Sequence, residues 1–213
     1  MFPLGSVLFP HMPLPLQLFE ERYLKMLGQA LESDDPQFGV VLIERGSEVG
    51  GDDQRLDFGT LARVVEVDAR AGNTGVLSIG THRIRVHEWL ADDPYPQARV
   101  ERIPELDWSD DLTGLFEESE RAVRQLLSVA AEMAAGQART LWPPTVEIGE
   151  DRVTASWQLA AITPLGPMDH YDLLRSQTCE ELLQRTGDLS RDATQTAKLI
   201  RNLPPPSQPE TDL

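Results

Sequence analysis

An α+β fold is what this 213-residue sequence predicts, on three observations. Between residues 38 and 103, runs rich in Val, Ile and Leu are separated by clusters of Gly, Asn, Asp and Pro, the mark of strands joined by turns. Beyond Asp107 the apolar spacing switches to threes and fours, which is helical. The opening stretch, FPLGSVLFPHMPLPLQLFEERY, is apolar and punctuated by four prolines, with no charge before Glu20. Proline removes a backbone donor and favours extended neighbours, so such a run suits short strands around a corner. It is not expected to be a secretory leader, having neither a basic start nor a small-residue cleavage site. Nor is it expected to span a membrane, because its breakers interrupt any apolar run of about 18 residues.

Taken in order, the first strand is expected over 4–9 and a second over 14–18, with a turn at Pro10-His11-Met12-Pro13. Phe19, Tyr23, Leu24, Leu27 and Leu31 then lie on one face of a helix that ends at Ser33-Asp34-Asp35-Pro36. FGVVLIE, 38–44, reads as a strand buried on both faces. A polar, Gly-bearing loop leads to a long strand over 58–70. The turn Ala71-Gly72-Asn73-Thr74-Gly75 has hairpin chemistry, because Gly and Asn tolerate positive φ. In the next strand, 76–90, Ile84 and Val86 alternate with Arg83, Arg85 and His87, and Gly80 marks a bulge or bend. After Asp92-Asp93-Pro94-Tyr95-Pro96, a final strand covers 97–103, and the sheet is expected to be mostly antiparallel.

In the second half, Ser109, Asp110 or Asp111 can cap a helix that holds apolar spacing for five turns to Ala130. RVTASWQLAAIT, 152–163, is a short buried helix, and MDHYDLLR opens another after Pro164-Leu165-Gly166-Pro167. Thr178 and Glu181 form a capping box ahead of CEELLQRTGDL, and a last helix follows over 190–203. The organisation expected is therefore a sheet part over 1–106, a helical part over 107–203, and a disordered proline-rich tail over 204–213.

Charge bounds the partners. The net charge is −16, with 17 acids against 10 bases in residues 1–106 and 18 against 9 in the remainder. A field of that sign, spread along the chain, opposes nucleic acid and anionic lipid. It suits basic or neutral partners. Cys179 is the single cysteine, so no disulfide can form within the chain, which suits a reducing, cytoplasmic setting.

The blocks FPLGSVLFPHMPLPLQLFEERY, FGVVLIERGSEVG, FGTLARVVEV and IGTHRIRV follow one another over residues 2–103. In that order they resemble the N-terminal substrate-binding domain of Lon proteases, and more closely stand-alone bacterial proteins that carry this domain alone. ITPLGPMDHYDLLRSQTCEELLQ is similar, more loosely, to the helical extension of the same domain. The resemblance implies a PUA-like β-barrel with helices packed behind it. It implies a protein- or peptide-binding module for unfolded or exposed segments, an adaptor or holdase beside a separate protease. One departure is His11, where many relatives have Gly. Glu20 and Arg22 hold the helix-start positions of the family, and Phe19 with Tyr23 is expected to pack beneath the sheet.

Chemistry is sparse. No G-x-x-x-x-G-K-[ST] loop and no G-x-S-x-G elbow occurs. Lys25 and Lys198 lie away from anything like the Ser–Lys dyad region of Lon, so no ATPase or Lon-type protease activity is expected. No cofactor or metal is expected either: His82 and His87, five residues apart on a strand, point to opposite faces. Cys179 at a helix start with His170 upstream reads as a small residue filling a junction rather than a nucleophile. Peptide-binding candidates are Phe9, His11 and Met12 at the corner, Trp89 and Tyr95 around the turn after the fourth strand, and Arg22 and Arg83 lining a junction groove. Aromatic and Met side chains supply adaptable contact area. Two other readings remain. One is PUA-like RNA binding through an arginine stripe of Arg63, Arg83, Arg85, Arg99 and Arg102. The other is an enzyme or small-ligand pocket between barrel and helices, around Cys179 or His170.

Overall fold

A computed structural model describes residues 1–45, 54–70, 73–134 and 142–201. The elements run β1 (Phe2–Leu4), β2 (Pro13–Leu18), α1 (Glu21–Leu31), β3 (Gln37–Arg45), β4 (Gln54–Arg70), β5 (Asn73–Trp89) and β6 (Ala98–Arg102). A 3-10 turn, Asp110–Leu112, leads into α2 (Thr113–Met133), α3 (Arg152–Ile162), α4 (Pro167–Leu174) and α5 (Cys179–Arg201). The α+β class therefore holds. The expected tail, 204–213, and the first two residues of the expected turn at 71–75 lie outside the described residues.

The sheet is mixed rather than purely antiparallel. Its order is β1-β3-β4-β5-β2, with β6 also on β5, and β1 runs parallel to β3 with Phe2 opposite Val40. β1 and β2, at the two ends of the path, are not paired with each other. Their side chains still line one cleft, so the sheet curls until its ends approach without closing. The β-barrel that the resemblance implies is thus present as an open one.

The first strand is shorter and earlier than the expected 4–9. Residues 5–8 leave the ladder because Leu8 and Phe9 turn inward, both buried. Their backbone is held by other means: Thr60 Oγ1 donates to the Leu8 carbonyl at 2.6 Å, and His11 N donates to the Gly80 carbonyl at 2.8 Å. A Cβ at Gly80 would meet the Phe9 carbonyl at 2.2 Å, so only glycine lets the corner press onto β5. The expected irregularity follows at once, with a register shift between Thr60 and Ala62. His11 carries φ 62°, a left-handed corner at a residue that is not glycine.

α1 buries Tyr23, Met26 and Leu27, but Phe19 is 62% exposed, against expectation. It precedes the helix, so it does not share the face that packs on the sheet. The last two expected helices are one. α5 continues through Gly187, where a Cβ would stand 3.5 Å from the Ser119 Cα of α2. Ser190 Oγ and Thr194 Oγ1 each donate to the carbonyl four residues back, so polar residues sit inside the packed face with their donors satisfied. The capping box forms by half: Glu181 N donates to Thr178 Oγ1 at 3.0 Å, while the Glu181 carboxylate accepts from Gln177 N.

Three apolar clusters result. One fills the sheet beneath α1, with Phe2, Tyr23 and Phe38; one joins Phe9 to Trp157 and Leu182; one lies among the helices around Leu127 and Leu159. Met12 packs against all three.

Candidate functional site

Two regions hold all but one of the candidate binding residues: the seam between sheet and helices, and the surface around α1.

At the seam Phe9 is buried, its ring 6.1 Å from that of Trp157. Arg83 is only 4% exposed, which corrects its expected outward direction and its place in a groove. Its Nη1 donates to the carbonyls of Leu174 and Ser176 at 3.0 and 2.6 Å, and its Nη2 to that of Pro104 at 3.2 Å. The guanidinium also lies 4.8 Å over the Trp157 ring. Three carbonyls and an aromatic face keep the charge satisfied where alternation alone would place it in water. Trp157 Nε1 donates to Glu105 Oε1 at 2.9 Å, and His11 Nε2 lies 3.5 Å from Glu105 Oε2. Burial by itself raises the Glu105 carboxyl, but bonds from His11, Trp157 and the Leu106 amide outweigh it and bring it down to about 2. Phe9 and Arg83 thus serve the packing, and His11 and Met12 sit half-buried beside them.

Cys179 shares this seam. Burial, then the Glu105 and Asp107 carboxylates, push its thiol up to about 11, the reverse of an activated nucleophile. His170 is bonded to the Thr163 carbonyl at 2.8 Å and meets Phe9 edge-on. Among the described residues, no three His, Cys, Asp or Glu side chains gather as metal ligands.

Around α1 the surface is open. At its start a cleft of about 200 Å³ lies between β1 and β2, lined by Phe2, Leu4, Leu16, Phe19 and Tyr23. Beside it Glu20 holds Arg22 at 2.9 Å, and the Arg22 guanidinium lies 4.6 Å over Tyr23. Along the C-terminal half of α1 runs a groove made of two adjoining hollows, of about 370 and 500 Å³. Met26 and Ala30 form one wall, Gln37 and Leu61 the floor, and Val100 of β6 the other wall. Tyr95 closes one end, its hydroxyl bonded to Gln29. Trp89 lies apart, beneath Arg55 at 5.0 Å, and Arg55 pairs with Asp92. Of the seven candidates, then, Tyr95 lines the groove, Arg22 flanks the cleft, and the rest are elsewhere. Phe19, Met26, Gln37 and Val100 were missed. The alternation of Ala98, Val100 and Arg102 in QARVERI is the one signal that could have marked a groove wall.

The fold is of the Lon N-terminal type. The crystal structure of a Lon N-terminal domain protein from Xanthomonas campestris shares the fold with a TM-score of 0.58, at 22% identity over 95% of this chain and 96% of that one. So does the N-terminal domain of Mycobacterium avium complex Lon protease, with a TM-score of 0.60, at 19% identity over 89% and 97%. The family model for the ATP-dependent protease La (LON) substrate-binding domain matches residues 1–190, and the chain belongs to that family. Lon protease of Syntrophus aciditrophicus is 30% identical over 105 residues, and Lon protease 2 of Sorangium cellulosum 34% over 105. Those matches cover 46% and 47% of this chain, but only 13% of each relative's length. No described helix is long and apolar enough to cross a membrane.

Proposed function

We propose that this domain is a non-catalytic binding module that takes unfolded or exposed segments of other proteins on the surface around α1. It works in the cytoplasm as an adaptor or holdase, and hands its clients to a separate protease. The observation that carries this reading is apolar surface left open beside a rigid sheet: Phe19 at 62% exposure, the adjoining cleft, and the groove between α1 and Val100. Membership of a substrate-binding family supports the same reading. The net charge of −16 favours basic or neutral clients over RNA.

The test is an anisotropy titration with fluorescein-labelled, reduced and S-carbamidomethylated ribonuclease A, a basic unfolded chain. Saturable binding with a Kd of about 1–100 μM is expected, the range of a transient client contact. Absence of saturation across that range contradicts the reading.

A further inference from the structure

The sheet has two free edges that differ in what they offer a partner. On β2, the Met12 carbonyl accepts from Gly80 N at 2.9 Å. Backbone groups alternate along a strand, so Leu14 and Leu16 also face β5, and Pro13, Pro15 and Gln17 are left on the outer edge. Two of those three have no N–H, which blocks strand addition there. On β6, Ile103 N donates to the Arg83 carbonyl at 2.9 Å, and Leu90 N to the Gln97 carbonyl at 2.9 Å. The same alternation turns Arg99 and Glu101 toward β5, and Ala98, Val100 and Arg102 outward. Among the described residues β6 pairs with β5 alone, so that outer edge carries three consecutive N–H and C=O pairs without a ladder partner.

Ala98, Val100 and Arg102 line the groove along α1. Gln37 lines both hollows; its Oε1 is buried and has no hydrogen-bond partner, while its Nε2 is bonded to Asp35. The groove therefore offers an open strand edge and apolar surface at Met26, Leu61 and Val100.

We propose that a client segment binds here as an added strand on the outer edge of β6. Its chemistry is that of an extended polypeptide without proline along the paired edge, apolar at alternate residues to meet Leu61 and Val100, and basic at the others. The basic preference follows from charge complementarity: the walls contribute one acid and one base, Asp35 and Arg102, so the sign is set by the whole molecule, with 35 acids against 19 bases. Main-chain bonds supply affinity and the alternating side chains supply selectivity. This rests on the client-binding reading above and adds where and how the client lies.

The probe is a fluorescein-labelled ten-residue peptide of alternating valine and lysine, read by anisotropy beside the unfolded ribonuclease chain. V100P removes an outward N–H without touching the β5–β6 ladder; V100T keeps it. V100P is expected to weaken the peptide by about tenfold or more, since main-chain bonds carry the affinity, while V100T stays close to wild type. Should V100P fold poorly, hydrogen exchange at single amides of the wild type reads the same contact, with peptide slowing Val100 and Arg102. Equal peptide binding by wild type and a folded V100P, or unchanged exchange at both amides when the peptide is bound, overturns strand addition and leaves the client-binding reading standing. Failure of the wild type to bind either probe overturns both.

Discussion

Phe9 and Trp157 at the seam and Phe19 at the start of α1 are the same kind of residue in opposite circumstances. At the seam both Arg83 Nη groups, Trp157 Nε1 and the Glu105 carboxylate have protein partners, although Arg83 Nε is buried without one, and the aromatic rings face one another or a guanidinium. Around α1 an aromatic ring stands in solvent and a groove runs open. The difference teaches that residue type alone does not mark a binding site. A large side chain that has spent its contacts within the fold has none left for a client.

Four substitutions can break or sharpen that contrast. The largest effect is expected for Trp157→Ala, which empties a fully buried site and removes a donor from Glu105. It should cost about 3–5 kcal/mol in urea or thermal melts. Arg83→Met comes next at about 2–3 kcal/mol, because three carbonyls lose their charged donor. Client affinity per folded molecule should be unchanged in both, and a selective loss of binding at unchanged stability would place the site at the seam after all.

Glu105→Gln is a smaller test with a pH signature. The folded carboxyl, at about 2, lies below its unfolded value near 4.5. Its contribution is thus complete above pH 4.5 and disappears as pH falls toward 2. Discounted for a side chain 43% exposed, it amounts to about 1 kcal/mol. Wild type should therefore lose its advantage over the variant across that acid window, as followed by denaturant melts at stepped pH. The smallest stability effect is expected for Phe19→Ser, within about 0.5 kcal/mol of wild type because the ring is exposed. Its client affinity should fall all the same. A stability loss comparable to that of Arg83→Met would show that Phe19 belongs to the core.

Periodicity made most of the elements legible, and it failed where tertiary contacts override it. The alternation of β5 placed Ile84 and Val86 inside correctly, but it put Arg83 outside because nothing in the sequence announces the carbonyls at Leu174 and Ser176. Ser190 read as the start of a separate helix; close approach of α2 at Gly187 and bonds to carbonyls four residues back make the stretch the interior of one helix. The parallel partner of β1 is 38 residues distant and beyond any local pattern. The candidate surface was legible only through Tyr95 and Arg22. Grooves are made by elements remote in the chain, and Gln37, an unremarkable polar residue at a strand start, becomes informative only when its oxygen proves buried.

The account turns on where a client touches. The most direct measurement is a hydrogen-exchange footprint of the whole chain, with and without saturating unfolded ribonuclease. Slowed exchange confined to α1 and β6, with residues 9–12, 83 and 157 unchanged, is the predicted result. Slowed exchange at the seam with α1 and β6 unaffected would contradict it.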